Sequence, residues 1–354
     1  ETCYMKTPDN LLTIAVTGLN AIDSPGPGIA VIRALREGLN RPLRIIGLSY
    51  ETLEPGIYMH DVVDKTYQIP YPSAGTTALM NRLQYIHEKE ELQLIIPNFD
   101  AELPQFIKLA PTLQSMGIAT YLPTAAQFEA RDKINLYRFG QQHQLLVPRD
   151  KTIHSVNEFA ACEEAFGYPL VVKGKFYDAI VAYTPEQAQK AFYKISAKWG
   201  LPIIVQEFIT GTEINIAVLG DGTGRMISAI PMRKLYITDK GKAWSGITLQ
   251  DDSLIDLARQ FTEATQWKGG CELEIMRTAK NELYIMEINP RFPAWIYLTA
   301  AAGQNQPAAL ARMALGEEQP VNEGYAAGKI FVRYSWDHIT DINEFHQISG
   351  KGEL

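Results

Sequence analysis

Cysteine is scarce in this chain of 354 residues, and its scarcity excludes one class of protein. The three cysteines, Cys3, Cys162 and Cys271, are odd in number and widely spaced. Such a set argues against a disulfide framework and favours a reducing compartment, so we expect the protein to be cytoplasmic. The six histidines show no HxxxH or cysteine-paired spacing, so a zinc site is not expected.

Long apolar runs and an excess of positive charge are also missing. No stretch approaches the roughly 18 consecutive apolar residues of a membrane span, and no basic region followed by an apolar stretch opens the chain. Neither a membrane segment nor a secretory signal is therefore expected. The formal net charge is −7, with acidic and basic residues interspersed. This balance disfavours nucleic acid and anionic membranes as partners, while a homodimer stays open.

Apolar residues make up 46% of the chain, which is enough to build several packed layers. The length exceeds that of one ordinary core and indicates two or three lobes. In the first third, apolar runs at 11–16, 44–50 and 92–97 alternate with helical stretches at 29–39 and 80–91. Continuous apolar strands alternating with helices predict a parallel sheet covered on both faces.

The middle of the chain carries helix-start signals. Capping boxes begin at Thr124, before a helix predicted to run through Lys133, and at Ser155, before a helix that stops at Gly167. A strand at 168–175 and a helix opened by Thr184-Pro-Glu-Gln187 complete a module of about 131–200. From residue 203 the pattern becomes antiparallel, with strands predicted at 203–209, 213–221, 226–237, 270–278 and 282–289. Helices are predicted at 253–267 and 294–315.

The strongest chemical signal lies in two consecutive predicted strands. Glu274 shares a face with Glu272, and Glu287 shares a face with Asn289, because side chains alternate along a strand. A hairpin that turns near Asn281 would bring Glu274, Glu287 and Asn289 together. Two carboxylates and an amide oxygen suit Mg²⁺ bridging triphosphate oxygens. The alternative is that these are solvated polar faces of an ordinary β-hairpin.

Glu274 and the run Glu287-Ile-Asn-Pro-Arg291 together resemble the metal-binding signature of the ATP-grasp superfamily, which includes D-alanine–D-alanine ligase, biotin carboxylase and carbamoyl phosphate synthetase. The resemblance extends from Leu11 to about Gly316. It implies an α/β and α+β ATP-grasp fold, in which two α+β lobes clamp ATP. The implied domains are an N-terminal Rossmann-like preATP-grasp domain at 1–125, a small lobe at 126–202 and a large lobe at 203–354 that holds the metal site.

The same resemblance implies that ATP and Mg²⁺ are the cofactors and assigns residues to the nucleotide. Lys133 and Lys173, the latter at the end of Gly167-Tyr-Pro-Leu-Val-Val-Lys173, match the lysines that contact the phosphates. The interlobe hinge that holds adenine matches Gln206, Glu207, Phe208 and Ile209, and Glu213 matches the acid that reaches the ribose. The alternatives are surface lysines and a plain edge strand.

Other assignments depend on position within the family pattern. Either Arg233 or Lys234 would face the phosphates, since neighbouring strand residues point to opposite faces. The phosphate-covering loop is short and has only Gly174, so Lys175 could substitute for missing backbone amides. Asn20 and Asp23 are candidates for contact with the other substrate. Their loop has Gly26-Pro-Gly28 but lacks the third glycine of a dinucleotide-binding fingerprint.

The resemblance implies a ligase that joins a small-molecule carboxylate to an amine through an acylphosphate, releasing ADP and phosphate, with amino acids and peptides among the candidate substrates. Lys173, the metal and a cation among Arg233, Lys234 and Arg291 would stabilise the transferring phosphoryl group, and Arg291 would also hold the tetrahedral oxyanion. Two alternatives stay open. One is an ATP-dependent carboxylase or carbamoyl-phosphate-type kinase, and the other is a nucleotide-binding module without turnover.

Overall fold

The computed structural model describes residues 10–354. Cys3 and the segment 1–6, for which no secretory signal is expected, lie outside the described residues. The helices are α1 Pro27–Gly38, α2 Thr76–Glu90, α3 Leu103–Ser115, α4 Ala125–Ala130, α5 Leu136–His143, α6 Phe159–Phe166, α7 Pro185–Trp199, α8 Asp252–Thr265, α9 Tyr297–Ala301, α10 Gln306–Ala314 and α11 Ile342–Lys351. The strands are β1 Leu12–Val16, β2 Leu43–Ser49, β3 Lys65–Gln68, β4 Leu94–Ile96, β5 Asp150–Ile153, β6 Leu170–Lys173, β7 Ala179–Ala182, β8 Ile203–Glu207, β9 Thr212–Asp221, β10 Met226–Ile237, β11 Ala243–Thr248, β12 Lys268–Arg277, β13 Leu283–Asn289 and β14 Ile330–Val332.

The chain divides into two compact units. Unit 1 comprises residues 1–125, 216–272 and 289–354, of which 1–9 are not described, and unit 2 comprises residues 126–215 and 273–288. The division of the sequence into three domains stays a prediction.

A parallel sheet in the order β3-β2-β1-β4 begins unit 1. On β1, Ile14 belongs to one buried apolar cluster and its neighbour Ala15 to another. Adjacent strand residues point to opposite faces, so both faces of this sheet are covered, as the continuous apolar runs predict. Strand β3 and helix α3 were not expected, because β3 is short and α3 begins without a capping signal.

The end of the chain closes the outer edge of this sheet. The backbone of Leu354 exchanges hydrogen bonds with Thr66 of β3, N to O, at 2.8 and 2.9 Å. Ile348 of α11 packs into a small buried cluster with Ile57 and Tyr58. Residues that pair with an edge strand remove its exposed hydrogen-bonding groups. The structural role of this segment is therefore to cover the edge of β3.

A second sheet runs in the order β13-β12-β9-β10-β11-β14. The β10–β11 and β11–β14 pairs, both within unit 1, are antiparallel, as expected for this part of the chain. The hairpin turn predicted at Asp221 is confirmed, because Asp221 N donates to Arg225 O at 3.1 Å. Strands β11 and β14 were not predicted. Strands β9, β12 and β13 each run from one unit into the other along the chain.

Unit 2 is built on an antiparallel sheet in the order β5-β8-β6-β7. Its buried core includes Phe159 of α6 and Phe192 and Ile195 of α7. The predicted helix signals are confirmed: Ser155 forms the capping box with Glu158, and the Thr184 side chain accepts a hydrogen bond from Gln187 N at the start of α7. Strand β8, expected at the start of the large lobe, pairs with β5 and β6.

Two helix predictions are wrong. The helix opened after Thr124 ends at Ala130, and Lys133 lies in the turn that follows, where Asn135 N donates to Asp132 O at 2.7 Å. The helix predicted at 294–315 is two helices. Gly303, with a φ of 94°, interrupts it, and Asn305 starts α10 by accepting a hydrogen bond from Ala308 N.

Candidate functional site

The hairpin formed by β12 and β13 carries the residues with the strongest sequence signal. Thr278 N donates to Glu282 O at 3.0 Å and Asn281 N donates to Thr278 O at 2.9 Å, which closes the turn. Asn281 adopts a φ of 60°, a left-handed conformation that asparagine tolerates better than most residues. The turn predicted at Asn281 is therefore confirmed.

A side-chain hydrogen bond shows which residues share one face of this hairpin. Asn289 Nδ2 donates to Glu272 Oε2 at 3.1 Å, so these two side chains point the same way. Side chains two apart on a strand share a face, which adds Glu274 on β12 and Glu287 on β13 to the same side. The apolar side chains of Leu273 and Ile288 are buried.

Glu272 is a residue whose importance the sequence pattern did not show. Its side chain is buried, and besides Asn289 it accepts a hydrogen bond from Trp295 Nε1 at 2.8 Å. The amide nitrogen of Asn289 is engaged by Glu272, so the amide oxygen Oδ1 is the atom that can act as a ligand. The only available signal was its alternation with Glu274, two residues along the same strand.

Within unit 2, four charged side chains act on the ammonium group of Lys173. Burial is the largest cause lowering the pKa of Lys173, and the nearby ammonium of Lys133 lowers it further. The carboxylates of Glu287, Glu274 and Asp150 act in the opposite direction. Unit 2 thus brings together both predicted phosphate lysines and both predicted metal carboxylates.

Two further oxygen atoms of unit 2 are buried without a hydrogen-bond partner, Asp150 Oδ2 and Gln206 Oε1. The two residues lie opposite each other on the paired strands β5 and β8. Burial raises the pKa of Asp150 to about 6, although the Lys173 ammonium opposes this shift. Asp150 did not stand out in the sequence, because a single aspartate at the start of a short strand carries no pattern.

The predicted hinge residues differ in their surroundings. Gln206 is only 4% exposed, whereas Phe208 is 37% exposed and lies with Ile209 beyond the end of β8. The Glu207 carboxylate is held by the Arg149 guanidinium at 2.7 and 2.9 Å, and the Glu207 backbone N–H donates to Arg149 O at 2.9 Å. Glu213 is exposed near the start of β9.

Residues 174–178 form a short loop between β6 and β7. Gly174 N donates to Asp178 O at 3.0 Å, and a Cβ on Gly174 would lie 2.3 Å from Tyr177 O, so only glycine fits there. The predicted strand is shorter than expected, because β6 ends at Lys173 and leaves Lys175 in this loop. Lys175 is exposed, with its Nζ 5.3 Å from the centre of the Phe176 ring.

The other predicted cations belong to unit 1. Arg233 is exposed on β10, while Lys234 Nζ donates to Gly241 O at 3.1 Å. Arg291 forms an ion pair with Asp100, Nε to Oδ1, at 2.7 Å. Of the two loop candidates, Asp23 pairs with Lys242 at 3.5 Å and Asn20 lines the same cleft as Asp23.

Residues 10–354 contain no group of three or more His, Cys, Asp and Glu side chains placed to hold a metal ion. The assignment of Glu274, Glu287 and Asn289 as metal ligands stays a prediction. No helix in the described part of the chain is long and apolar enough to cross a membrane.

Comparison with known proteins identifies relatives of this architecture. Residues 201–334 match the family described as "ATP-grasp in the biosynthetic pathway with Ter operon". The chain is 23% identical over 172 residues to D-alanine–D-alanine ligase of Pseudomonas entomophila, covering 45% of this chain and 54% of that protein. It is 23% identical over 244 residues to the carbamoyl phosphate synthase large chain of Clostridium botulinum, covering 65% of this chain and 22% of that protein. The chain thus spans about half or less of these relatives.

A solved structure with a similar fold is the biotin carboxylase domain dimer of 2-oxoglutarate carboxylase from Hydrogenobacter thermophilus, in complex with MgADP, ADP and bicarbonate. Its TM-score is 0.66 at 17% identity, covering 88% of this chain and 71% of that one. This likeness shows the fold and confirms the fold class predicted from the sequence.

The buried contacts of Glu272 lead to a prediction about stability. Replacing Glu272 with alanine leaves the Asn289 and Trp295 donors without this acceptor, at a cost of about 1–3 kcal/mol each. We expect urea unfolding to show this loss, while Glu263→Ala, at an exposed position of α8, changes stability little. A Glu272→Ala protein as stable as the control would contradict the arrangement.

Proposed function

The chain belongs to the ATP-grasp superfamily, and from this we propose that it is an ATP-dependent ligase that joins a carboxylate to an amine through an acylphosphate, releasing ADP and phosphate. The observation that carries the proposal is the group in unit 2 of Lys133, Lys173, Glu274 and Glu287. Two ammonium groups suit a triphosphate, and two carboxylates suit the cation that accompanies it. If the hairpin had only a structural role, there would be no reason to place the half-buried Lys173 near a second ammonium group, that of Lys133.

The buried oxygen of Gln206 supports adenine as the base. Gln206 Oε1 has no hydrogen-bond partner, although its side chain is only 4% exposed. Leaving a buried acceptor without a donor is costly, so a ligand donor is expected there. The exocyclic amine of adenine is such a donor.

The donor set also fits Mg²⁺, which prefers oxygen ligands. Glu274 and Glu287 would supply carboxylate oxygens, and Asn289 would supply Oδ1, since its amide nitrogen is held by Glu272. When bound, the ion neutralises charge on the phosphates. Glu272 keeps the Asn289 amide oriented.

In the proposed reaction, an oxygen of the substrate carboxylate forms a bond to the γ-phosphorus, and the bond from that phosphorus to the β–γ bridging oxygen breaks. ADP leaves, and Lys173 and Lys133 stabilise the negative charge of the phosphoryl group. The amine nitrogen then forms a bond to the acyl carbon and loses a proton, and phosphate departs. The roles of Arg233, Lys234 and Arg291, all in unit 1, stay predictions.

A carboxylase is the second candidate, because the fold is shared with a biotin carboxylase domain in complex with bicarbonate. Its ADP release would depend on bicarbonate, whereas that of the ligase would not.

The proposal of a ligase also includes a cytoplasmic location, small-molecule substrates and a homodimer. Sparse cysteines support the location, and the dimeric state of the carboxylase domain supports the homodimer.

Replacing Lys173 with alanine should weaken ATP binding. One charge-assisted contact to phosphate is lost, worth about 1.5–3 kcal/mol, which corresponds to about a tenfold or larger fall in affinity. Calorimetric titration measures this, with Lys190→Ala on the exposed face of α7 as the control. Equal affinities for ATP would mean that Lys173 is not a phosphate ligand.

Replacing Glu287 with glutamine should abolish turnover and greatly weaken the response to Mg²⁺, because one of two carboxylate ligands is lost. Thermal unfolding should show that the variant stays folded. Glu282→Gln, in the turn of the same hairpin, should retain activity. Full activity of Glu287→Gln would disprove the metal assignment.

The order of the chemical steps is tested with isotopic oxygen. When the substrate carboxylate carries ¹⁸O, one labelled oxygen should appear in the released phosphate, because that oxygen bridges the acyl carbon and phosphorus. Mass spectrometry of the phosphate measures the transfer, after an ADP-release screen over amino acids and short peptides with and without bicarbonate. Unlabelled phosphate formed alongside an amide, or AMP and pyrophosphate as products, would refute the acylphosphate route.

A further inference from the structure

Unit 1 contains a cleft of about 780 Å³ that none of the nucleotide residues lines. The first strand-to-helix loop and the start of α1 form one side. The segment around α9 and the residues from β14 onwards form the others. Clefts of roughly 300–1,000 Å³ are typical of small-molecule sites.

Aromatic side chains form much of its wall. The rings that line the cleft are Trp244, Trp295, Tyr297, Phe331, Tyr334 and Trp336. Tyr334 is 76% exposed and Trp336 is 84% exposed, although both are large side chains that gain from burial. Exposed apolar surface beside a concave site is typical of a surface that a ligand covers. A flat apolar body would fit between these rings.

Two guanidinium groups lie at the same cleft. Arg333 is half-buried, its backbone N donates to Trp244 O at 3.0 Å, and its guanidinium lies 5.4 Å from the centre of the Phe331 ring. No carboxylate in residues 10–354 forms an ion pair with Arg333, and burial lowers its pKa. Arg33 stacks over the Tyr297 ring at 3.9 Å.

Asp23 is the one carboxylate among the described residues that line the cleft, and it is already engaged. Asp23 pairs with Lys242 at 3.5 Å, and Glu37 accepts a hydrogen bond from the Tyr297 hydroxyl. The arginines therefore give the cleft an excess of positive charge. A desolvated guanidinium is costly unless an anion pairs with it, and a carboxylate can bind it through two parallel hydrogen bonds.

We propose that this cleft binds the carboxylate substrate, and that this substrate is an acid with an aromatic or similarly flat apolar body whose anionic group pairs with Arg333. The proposal rests on the ligase function above for the fate of the acid, but the binding itself does not need ATP. Arg33 and the rings of Tyr334 and Trp336 complete the contact. The guanidinium groups of the cleft indicate that the substrate is an anion, and its ring-lined wall indicates that the substrate has a flat apolar body.

The test is calorimetry without nucleotide, using 3-phenylpropionate, its neutral amide and propionate as probes. We expect the aromatic acid to bind, and both the amide and propionate to bind at least tenfold more weakly. Arg333→Gln should lower affinity for the acid about tenfold or more, with Arg259→Gln, at an exposed position of α8, as the control. Trp336→Ala should weaken binding of the acid, with Tyr193→Ala as the control. Trp336 is 84% exposed, so its variant should fold.

The outcomes separate this proposal from the ligase function. If no aromatic acid binds at millimolar concentration, or if Arg333→Gln binds it as well as the wild type, the substrate class is wrong, even if other acids release ADP. If the aromatic acid binds through Arg333 but no acid and amine release ADP, the cleft assignment stands and the ligase function fails. Dimerisation that Trp336→Ala abolishes, without any binding of the acid, would instead make the exposed rings an interface between two copies.

Discussion

The candidate site in unit 2 depends on one electrostatic constraint, the free-energy cost of placing the ammonium groups of Lys133 and Lys173 near each other. Lys173 is half-buried and lies within electrostatic reach of Lys133, which disfavours its charged form. Glu274, Glu287 and Asp150 offset part of this cost. Such an arrangement is expensive in a protein that only needs to fold. The proposed polyphosphate and its cation would relieve this cost, because the ammonium groups would pair with phosphate oxygens and the carboxylates with the cation.

A second constraint orients the end of strand β13. Glu272 is buried and accepts hydrogen bonds from both Asn289 and Trp295. The amide of Asn289 is thereby held in one orientation. Trp295 also lines the aromatic cleft of unit 1, so a single carboxylate connects a proposed metal ligand with a wall of the proposed substrate site. Residues of this kind commonly hold metal ligands in place.

The carboxylates and the amide on consecutive strands could be recognised in the sequence because their spacing is local. Side chains alternate along a strand, which fixes the face of β12 that carries Glu274 and the face of β13 that carries Glu287 and Asn289. Asn281 marks the turn between the two strands. Asp150, Glu272 and Arg333 could not be recognised in this way. Their importance comes from burial and from partners, or missing partners, far away in the chain.

The sequence by itself determined the parallel sheet, the capped helices of unit 2 and the hairpin, since these follow from periodicity and short motifs. The superfamily was indicated by the resemblance of Glu274 and the run Glu287-Ile-Asn-Pro-Arg291 to a known signature. Tertiary structure decided where helices stop, as at Ala130 and Gly303. It also decided that β8 joins the sheet of unit 2 and that β11 and β14 form at all. Strand pairing and burial depend on residues distant in sequence, and no local pattern encodes which oxygen or guanidinium is left without a partner.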